Sequence, residues 1–448
     1  MKKFPSLLVI ILALHLFLLL KLKFTAWPEM LLWPYLIVHG LLPYRDIAIA
    51  HTPNLLIILS LIYKVFGVGV FQLKIYTWAV IIFTDFLLFW VINKLSNKNS
   101  LLFNSKKVAI IAVSLFVFWQ VFYDGNGLWF DSMIAPISLF VFFLIHKKKY
   151  LWAGVLWVIM FFTKQTAIWF LIPIIFSLKK YRDFIYGGTV TVIIYFLATL
   201  FWGNLPNFYE WAIKFGVFVL PRSQGQIQFP DLKNMLIALF PFSIFIPYFI
   251  KMKSKVANLP LWALAGSMTA YPRFEFFHFQ PGLPFLAMSS AIVLTNLNKR
   301  DRFLKMFIAL YALVSIYLFT NFFIRNWQEG TRFFESDVSD VANYVKNNTT
   351  PGDKIFVMNW WDNVYALTNT LPATNPWVPQ LYWYQEIQGV QDREVADLIA
   401  SKPRLILLQD YSESGLASYK PQKVYDYVIL NYKLKEKIDG IEILIPKK

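Results

Sequence analysis

The chain has 448 residues, of which 57% are hydrophobic, 19% aromatic and only 15% charged. Soluble domains run at about 45–50% apolar and about 25% charged, so this composition excludes an ordinary soluble enzyme and a disordered chain. The net charge is +17, and the absence of cysteine excludes disulfide scaffolds, thiolate metal sites and cysteine nucleophiles.

A helix needs roughly 20 apolar residues to cross a bilayer. In chain order, the expected spans are Phe4–Leu22, Leu73–Asn93, Val108–Phe122, Asp131–His146, Asp183–Trp202, Asp231–Ile250, Val256–Tyr271, Gln280–Leu297 and Phe303–Ile324. Lys2 and Lys3 precede the first, no small-x-small cleavage site follows it, and it reads as an anchor. Tyr150–Leu178 is apolar but interrupted by Thr163-Lys164-Gln165-Thr166. Pro53–Phe66 is short for a span and suits an interfacial or re-entrant helix.

Cytoplasmic loops collect Lys and Arg. The clusters here are Lys2/Lys3, Lys94/Lys98/Lys106/Lys107, Lys147/Lys148/Lys149, Lys179/Lys180/Arg182, Lys251/Lys253/Lys255 and Lys299/Arg300/Arg302/Lys305. All face one side if Tyr150–Leu178 crosses twice, which predicts about 11 transmembrane helices with the N-terminus cytoplasmic. These loops hold 19 basic residues against Asp183 and Asp301, and so carry the whole +17, while 24 basic and 24 acidic residues cancel elsewhere. The charge is a topology signal, and no nucleic-acid partner is expected.

After Ile324 the character changes: residues 325–448 hold 16 of the 26 acids and 14 basic residues. Asp337–Lys346 reads as a helix, Lys354–Met358 and Arg404–Leu408 as strands, and Asp439-Gly440 as the turn of a hairpin between Tyr432–Lys437 and Ile441–Ile445. The expected partition is an all-α polytopic membrane domain over 1–324 and a small extracytoplasmic α/β domain over 325–448.

The outer loops carry the unusual polar residues. Loop 23–71 contains Glu29, Arg45, Asp46 and His51, and loop 123–131 contains Asp124 and Asp131. Lys164 and Gln165 break the long apolar stretch, loop 203–230 holds Arg222, and loop 271–280 holds Arg273, Glu275 and His278. Carboxylates can take a proton from an attacking hydroxyl, Arg and Lys can clamp a phosphate, and aromatics can stack on a sugar or prenyl chain. That set suits an anionic lipid-linked substrate. Each residue also has a plainer reading. Glu29 is an interfacial carboxylate held by Lys21 or Lys23, Asp46 an ion pair with Arg45, Asp131 a helix N-cap and Asp124 a turn former. Lys164 is paired or snorkels, Arg273 anchors the interface, and Asp85, inside a span, is buried beside a hydroxyl or lysine. No His-x-x-x-His or clustered acidic triplet marks a metal site, so a divalent metal stays open without being indicated and no cofactor is assigned.

Several runs together resemble the polytopic C-type-fold glycosyltransferases. They are an acidic residue soon after the first span, Gly40-Leu41-Leu42-Pro43-Tyr44-Arg45-Asp46, His51-Thr52-Pro53, the Lys164-Gln165-Thr166 break, and Tyr271-Pro272-Arg273-Phe274 through His278. The branch most similar is the dolichyl-phosphate-mannose–protein mannosyltransferase-like enzymes, which include the lipid A aminoarabinose transferases. The resemblance implies transfer of a sugar from a polyprenyl-phosphate donor to a lipid, glycan or protein acceptor at the outer membrane face, with inversion. It implies an essential acid in the first outer loop. Where members often have Asp-Glu, this chain has Pro28-Glu29, so Glu29 stands alone or shares the work with Asp46. The expected catalytic residues are Glu29, Asp46 and Asp131. Lys164, Arg273, Arg222, Arg45, His51 and His278 are expected at the donor phosphate, and Asp124, Gln165 and Glu275 at the sugar or acceptor. The competing classes are a lipid-linked-sugar flippase or transporter and a non-catalytic envelope-assembly subunit.

Overall fold

The computed structural model describes residues 6–95, 106–201, 204–223, 227–251, 258–295, 301–412 and 419–447. Of the residues read as a topology signal, Lys2, Lys3, Lys98, Lys253, Lys255, Lys299 and Arg300 lie outside the described residues. The chain divides into two compact units, each assembled from three stretches. The first comprises Met1–Phe24, Ile75–Ala198 and Ile227–Glu329, and the second Thr25–Lys74, Thr199–Gln226 and Gly330–Lys448.

The first unit is helical. Among the described residues, four helices are long and apolar enough to cross a membrane: Val70–Leu95, Tyr181–Phe201, Leu232–Ile250 and Arg302–Asn326. Others are apolar but shorter, including Ser6–Lys21, Phe130–His146, Tyr150–Phe161, Gln165–Ser177 and Leu283–Thr295. The 12 residues of Tyr150–Phe161 reach about 18 Å, against roughly 30 Å of hydrocarbon. Asp231 opens Leu232–Leu239 by accepting from the Asn234 N–H at 2.7 Å, and Asp301 opens Arg302–Asn326 by accepting from the Leu304 N–H at 3.0 Å. Both thus satisfy amides that a helix start leaves without a partner.

Leu283–Thr295 is the centre of this unit. Every residue from Leu283 to Val293 is buried, as expected of a helix that is apolar all round. It packs against Lys106–Phe122 and Leu259–Ser267. The latter contact is at backbone range, since a Cβ on Gly266 would fall 2.4 Å from the Gly282 nitrogen. Small residues permit such close approach where lipid removes the hydrophobic drive between helices. By contrast, Arg302–Asn326 exposes Phe303, Met306, Leu310, Leu313, Ile316 and Tyr317, a surface suited to acyl chains.

The second unit is built on a five-stranded sheet. Its strands are β1 (Lys354–Met358), β2 (Leu371–Pro372), β3 (Leu405–Gln409), β4 (Tyr432–Ile438) and β5 (Ile441–Pro446). Their order is β2-β1-β3-β5-β4, parallel across β2, β1 and β3 and antiparallel across β3, β5 and β4. Ile355 to Met358 face Leu405 to Leu408 in register. β1 and β3 read Lys-Ile-Phe-Val-Met and Leu-Ile-Leu-Leu-Gln, the continuous apolar pattern of strands covered on both faces. Asp439 and Gly440 both take positive φ, which closes the β4–β5 hairpin. Helices Ser336–Asn348, Val390–Ser401 and Gln422–Asn431 accompany the sheet, and Leu398, Val424 and Val428 pack with Phe356, Met358, Ile406 and Leu444.

Residues 25–74, most of the stretch expected as the first outer loop, belong to this same unit. Its helix Pro28–Val38 is fixed by Tyr35, whose hydroxyl donates to the Thr370 carbonyl at 2.9 Å. The Ala48 N–H donates to Trp377 O and the Trp377 N–H to Asp46 O, each at 2.9 Å. Helix Asn54–Phe66 is amphipathic: Leu55, Leu56, Leu59 and Tyr63 are buried, while Leu61, Val65 and Phe66 are exposed.

Candidate active-site residues in two clusters

In the first unit, three of the expected residues meet. Asp131 lies in the first turn of helix Phe130–His146, but the cap position is Trp129, so Asp131 is not the N-cap that the plainer reading allowed. Its side chain is fully buried. Lys164 sits in extended backbone between helix Tyr150–Phe161 and the tight turn Gln165–Phe170, with φ −156° and ψ 133°. His278 lies in the turn Phe276–Phe279. Asp131 Oδ2 accepts from Lys164 Nζ at 2.6 Å and lies 2.7 Å from His278 Nδ1, and Nζ and Nδ1 are 3.1 Å apart. Lys164 keeps only 6% of its side chain exposed, so its ammonium is paired where it is buried instead of snorkelling to water.

Burial, joined by the Lys164 ammonium, lowers the His278 imidazolium to about 4 against the pull of Asp131. The ring is therefore neutral at pH 7, Nδ1–H facing Asp131 and Nε2 carrying the lone pair. Among the described residues, Asp131 Oδ1 and the Thr166 hydroxyl have no hydrogen-bond partner. The cluster thus holds a buried carboxylate whose second oxygen is unpartnered, with an imidazole and an ammonium on the first.

The remaining first-unit candidates are placed less deeply. Gln165 follows Lys164 in the turn and is half-buried. Arg273 and Glu275 are half-exposed and pair at 3.6 Å. Arg273 is carried on a short bridge in which the Phe274 N–H donates to Gln228 O at 3.1 Å. Asp124 is exposed in a turn at φ +50°. Lys21, one of two lysines named as holding Glu29, donates instead to Glu329 at 2.6 Å.

The second unit holds the other expected residues. Glu29 is in the first turn of helix Pro28–Val38, where the positive end of the helix dipole favours a carboxylate. Asp46 is buried with both oxygens engaged: Arg45 Nε and Nη2 donate at 2.9 and 2.8 Å, and the Leu42 N–H at 2.8 Å. Burial raises this carboxyl, but the bonds from Arg45 and Leu42 outweigh it and hold Asp46 below the ordinary range. Asp46 is thus a loop-forming ion pair in geometry, as its plainer reading expected. His51 is half-buried, its ring 6.2 Å from Trp33. Arg222 is exposed at the end of the turn Leu220–Arg222.

Three residues absent from the sequence expectation join Glu29 here. Burial, then the charges of Glu29 and Glu394, push the Asp362 carboxyl well above the usual range. Burial raises Glu394 to about 8, against bonds from Gln385 and Gln380 that reach its Oε1 at 3.1 and 3.0 Å. Tyr384 is raised by burial and further by Glu29. Asp362 had a signal: it follows the β1 strand in Asn359-Trp360-Trp361-Asp362, and ligand-binding residues gather beyond the C-terminal ends of parallel strands. Glu394 had none, since it sits inside a helix of mixed polarity. Among the described residues, no group of three or more His, Asp or Glu is arranged to hold a metal ion.

No protein-family model and no curated sequence matches the chain. Solved structures do. ArnT from Cupriavidus metallidurans bound to undecaprenyl phosphate is 11% identical and aligns over 98% of this chain and 97% of its own, with a TM-score of 0.61. The apo state of the same protein gives 10% identity over the same shares and a TM-score of 0.64. AglB, the oligosaccharyltransferase of Archaeoglobus fulgidus, in complex with an inhibitory peptide and a dolichol-phosphate, is 12% identical over 90% of this chain and 69% of its own, with a TM-score of 0.53. The fold is therefore the C-type fold of these membrane glycosyltransferases, as the sequence motifs implied.

Proposed function

We propose that the chain is a membrane glycosyltransferase that moves a sugar from a polyprenyl-phosphate donor to an acceptor hydroxyl or amine at the outer face of the membrane, with inversion. The observation that carries this reading is the likeness over nearly the whole chain to ArnT, a protein captured with undecaprenyl phosphate. The N-terminus is cytoplasmic and the sheet-bearing unit extracytoplasmic, in keeping with the lysine-rich loops.

In this reading an acceptor oxygen or nitrogen attacks the anomeric carbon while the bond from that carbon to the phosphate oxygen breaks. Polyprenyl phosphate leaves with the electron pair, and the acceptor's proton passes to a carboxylate. Glu29 is assigned as that base. Asp46, committed to Arg45 and Leu42, holds the loop and aims the Arg45 guanidinium. The leaving phosphate needs cations, and the candidates are Arg45 and Arg222 in the second unit, with His51 as a hydrogen-bonding group, and Arg273 in the first. In the first unit, Lys164 and His278 are candidates for a donor phosphate, and Asp131, which joins them, for a donor sugar hydroxyl. Asp124, Gln165 and Glu275 are assigned to sugar or acceptor contacts.

The test is transfer by the purified protein in nanodiscs from a panel of short-chain polyprenyl-phosphate sugars, without any ion gradient. Turnover abolished by Glu29→Gln, with thermal stability intact, supports the assignment. Movement of labelled lipid-linked sugar across vesicles without any transfer product would replace it with the flippase reading.

A further inference from the structure

Beyond the candidate residues, four buried polar side chains of the first unit are linked in series. His15 in helix Ser6–Lys21 and Asp85 in helix Val70–Leu95 are both wholly shielded from solvent. His15 Nδ1 lies 2.6 Å from Asp85 Oδ2, and His15 Nε2 lies 3.0 Å from Gln120 Oε1. The partner of Asp85 is thus an imidazole 70 residues away, in place of the hydroxyl or lysine expected from sequence. Gln120 Nε2 donates to Gly125 O at 2.8 Å, and Gln280 Nε2 donates to both Gln120 O and Tyr123 O at 2.9 Å.

Donor and acceptor chemistry fixes the protons. A carbonyl only accepts, so the Gln120 amide must turn its nitrogen to Gly125 and its oxygen to His15. That oxygen also only accepts, so His15 Nε2 carries hydrogen. One more proton lies between Nδ1 and Asp85, and the pair is neutral as a whole. Gln120 therefore has a single orientation, and it ties two turns together. One is Tyr123–Gly127, which leads into the helix bearing Asp131. The other bears His278, two residues before Gln280. The packing leaves no slack: a Cβ on Gly125 would fall 2.2 Å from Gln120 Nε2 and 2.5 Å from Gln280 Nε2.

We propose that His15, Asp85, Gln120 and Gln280 are positioning residues for the Asp131–Lys164–His278 cluster. The proposal rests on the reading of that cluster as functional, but its test needs no substrate. The full chain, labelled with 15N-histidine and held in lipid nanodiscs, contains five histidines to follow by NMR. Asp85→Leu is expected to shift the ring-nitrogen signals of His278. His39 and His146, bonded to Tyr35 O and Phe142 O, stay in place. Asp85→Asn is expected to restore the native His278 signals, because its amide can donate to Nδ1 while Nε2–H still meets Gln120. Unmoved His278 signals in Asp85→Leu overturn the proposal, and so does an Asn variant that behaves like Leu. Should Asp85→Leu fail to fold, Gln280→Met removes the two amide bonds without touching the buried pair. It is expected to shift His278, and an unshifted signal is again decisive against the proposal. Absent transferase activity would sink the functional reading and leave this measurement intact.

Discussion

The two clusters treat buried charge in opposite ways. In the first unit, Asp131 has an ammonium at 2.6 Å and an imidazole at 2.7 Å, so charge is compensated as soon as it is buried. In the second, burial without a counter-charge at hand pushes Asp362 and Glu394 up, and the charges of Glu29 and Glu394 push Asp362 further. A compensated cluster is a rigid scaffold for orienting a ligand. Buried acids held above their ordinary range are poised to take up a proton, which is what a base must do.

Point substitutions test this contrast. Glu29→Gln should lower transfer on the order of 10²–10⁴-fold, the usual contribution of a general base, with the unfolding midpoint unchanged. A midpoint that falls with activity would make Glu29 a scaffold residue as well and erase the contrast. Lys164→Met should cost about 3–5 kcal/mol of stability, because it strands the Asp131 carboxylate in a buried site. Thermal unfolding in detergent measures it, and the double variant with Asp131→Asn should recover much of the loss. A mild single variant would mean that Asp131 is not held by charge.

Next in size is a pH effect from Glu394. Its folded value of about 8 lies above its ordinary 4.5, so the folded state binds the extra proton between them. The stabilisation is complete below pH 4.5 and is lost as pH rises through about 8. Glu394→Gln keeps an oxygen for Gln380 and Gln385 and should flatten that slope, read as unfolding midpoints at pH 5 and pH 8.5. The smallest effect belongs to Arg45→Gln, since that guanidinium is 56% exposed and solvent screens its pairing with Asp46. Its midpoint should stay within error while turnover falls if Arg45 meets the phosphate.

Much of this was legible in the sequence where signals are local. The β1 strand falls at Lys354–Met358 as read, and the positive-φ pair Asp439-Gly440 makes the expected hairpin. The polar break at Lys164 ends one helix and begins another turn. What stayed hidden depends on contacts far apart in the chain. Asp131 meets residues 33 and 147 positions away, and no periodicity announces such a meeting. His15 lies in an apolar helix, and nothing in that helix announces Asp85, 70 positions away. The union of 25–74 with 330–448 was equally invisible, because it is made by backbone bonds such as Ala48 to Trp377, which any side chain can accompany.

That union sets a timetable for biogenesis. The ribosome finishes the first outer loop some 300 residues before it reaches Thr370 and Trp377, the partners of Tyr35 and Ala48. At roughly 5–20 residues per second, the loop bearing Glu29 waits about 15–60 s with its edge amides unsatisfied. For that interval the nascent protein is unfinished, and this loop is open to proteases and chaperones. Nascent chains arrested before Thr370 should be cleaved in that loop, and chains released beyond Trp377 should not.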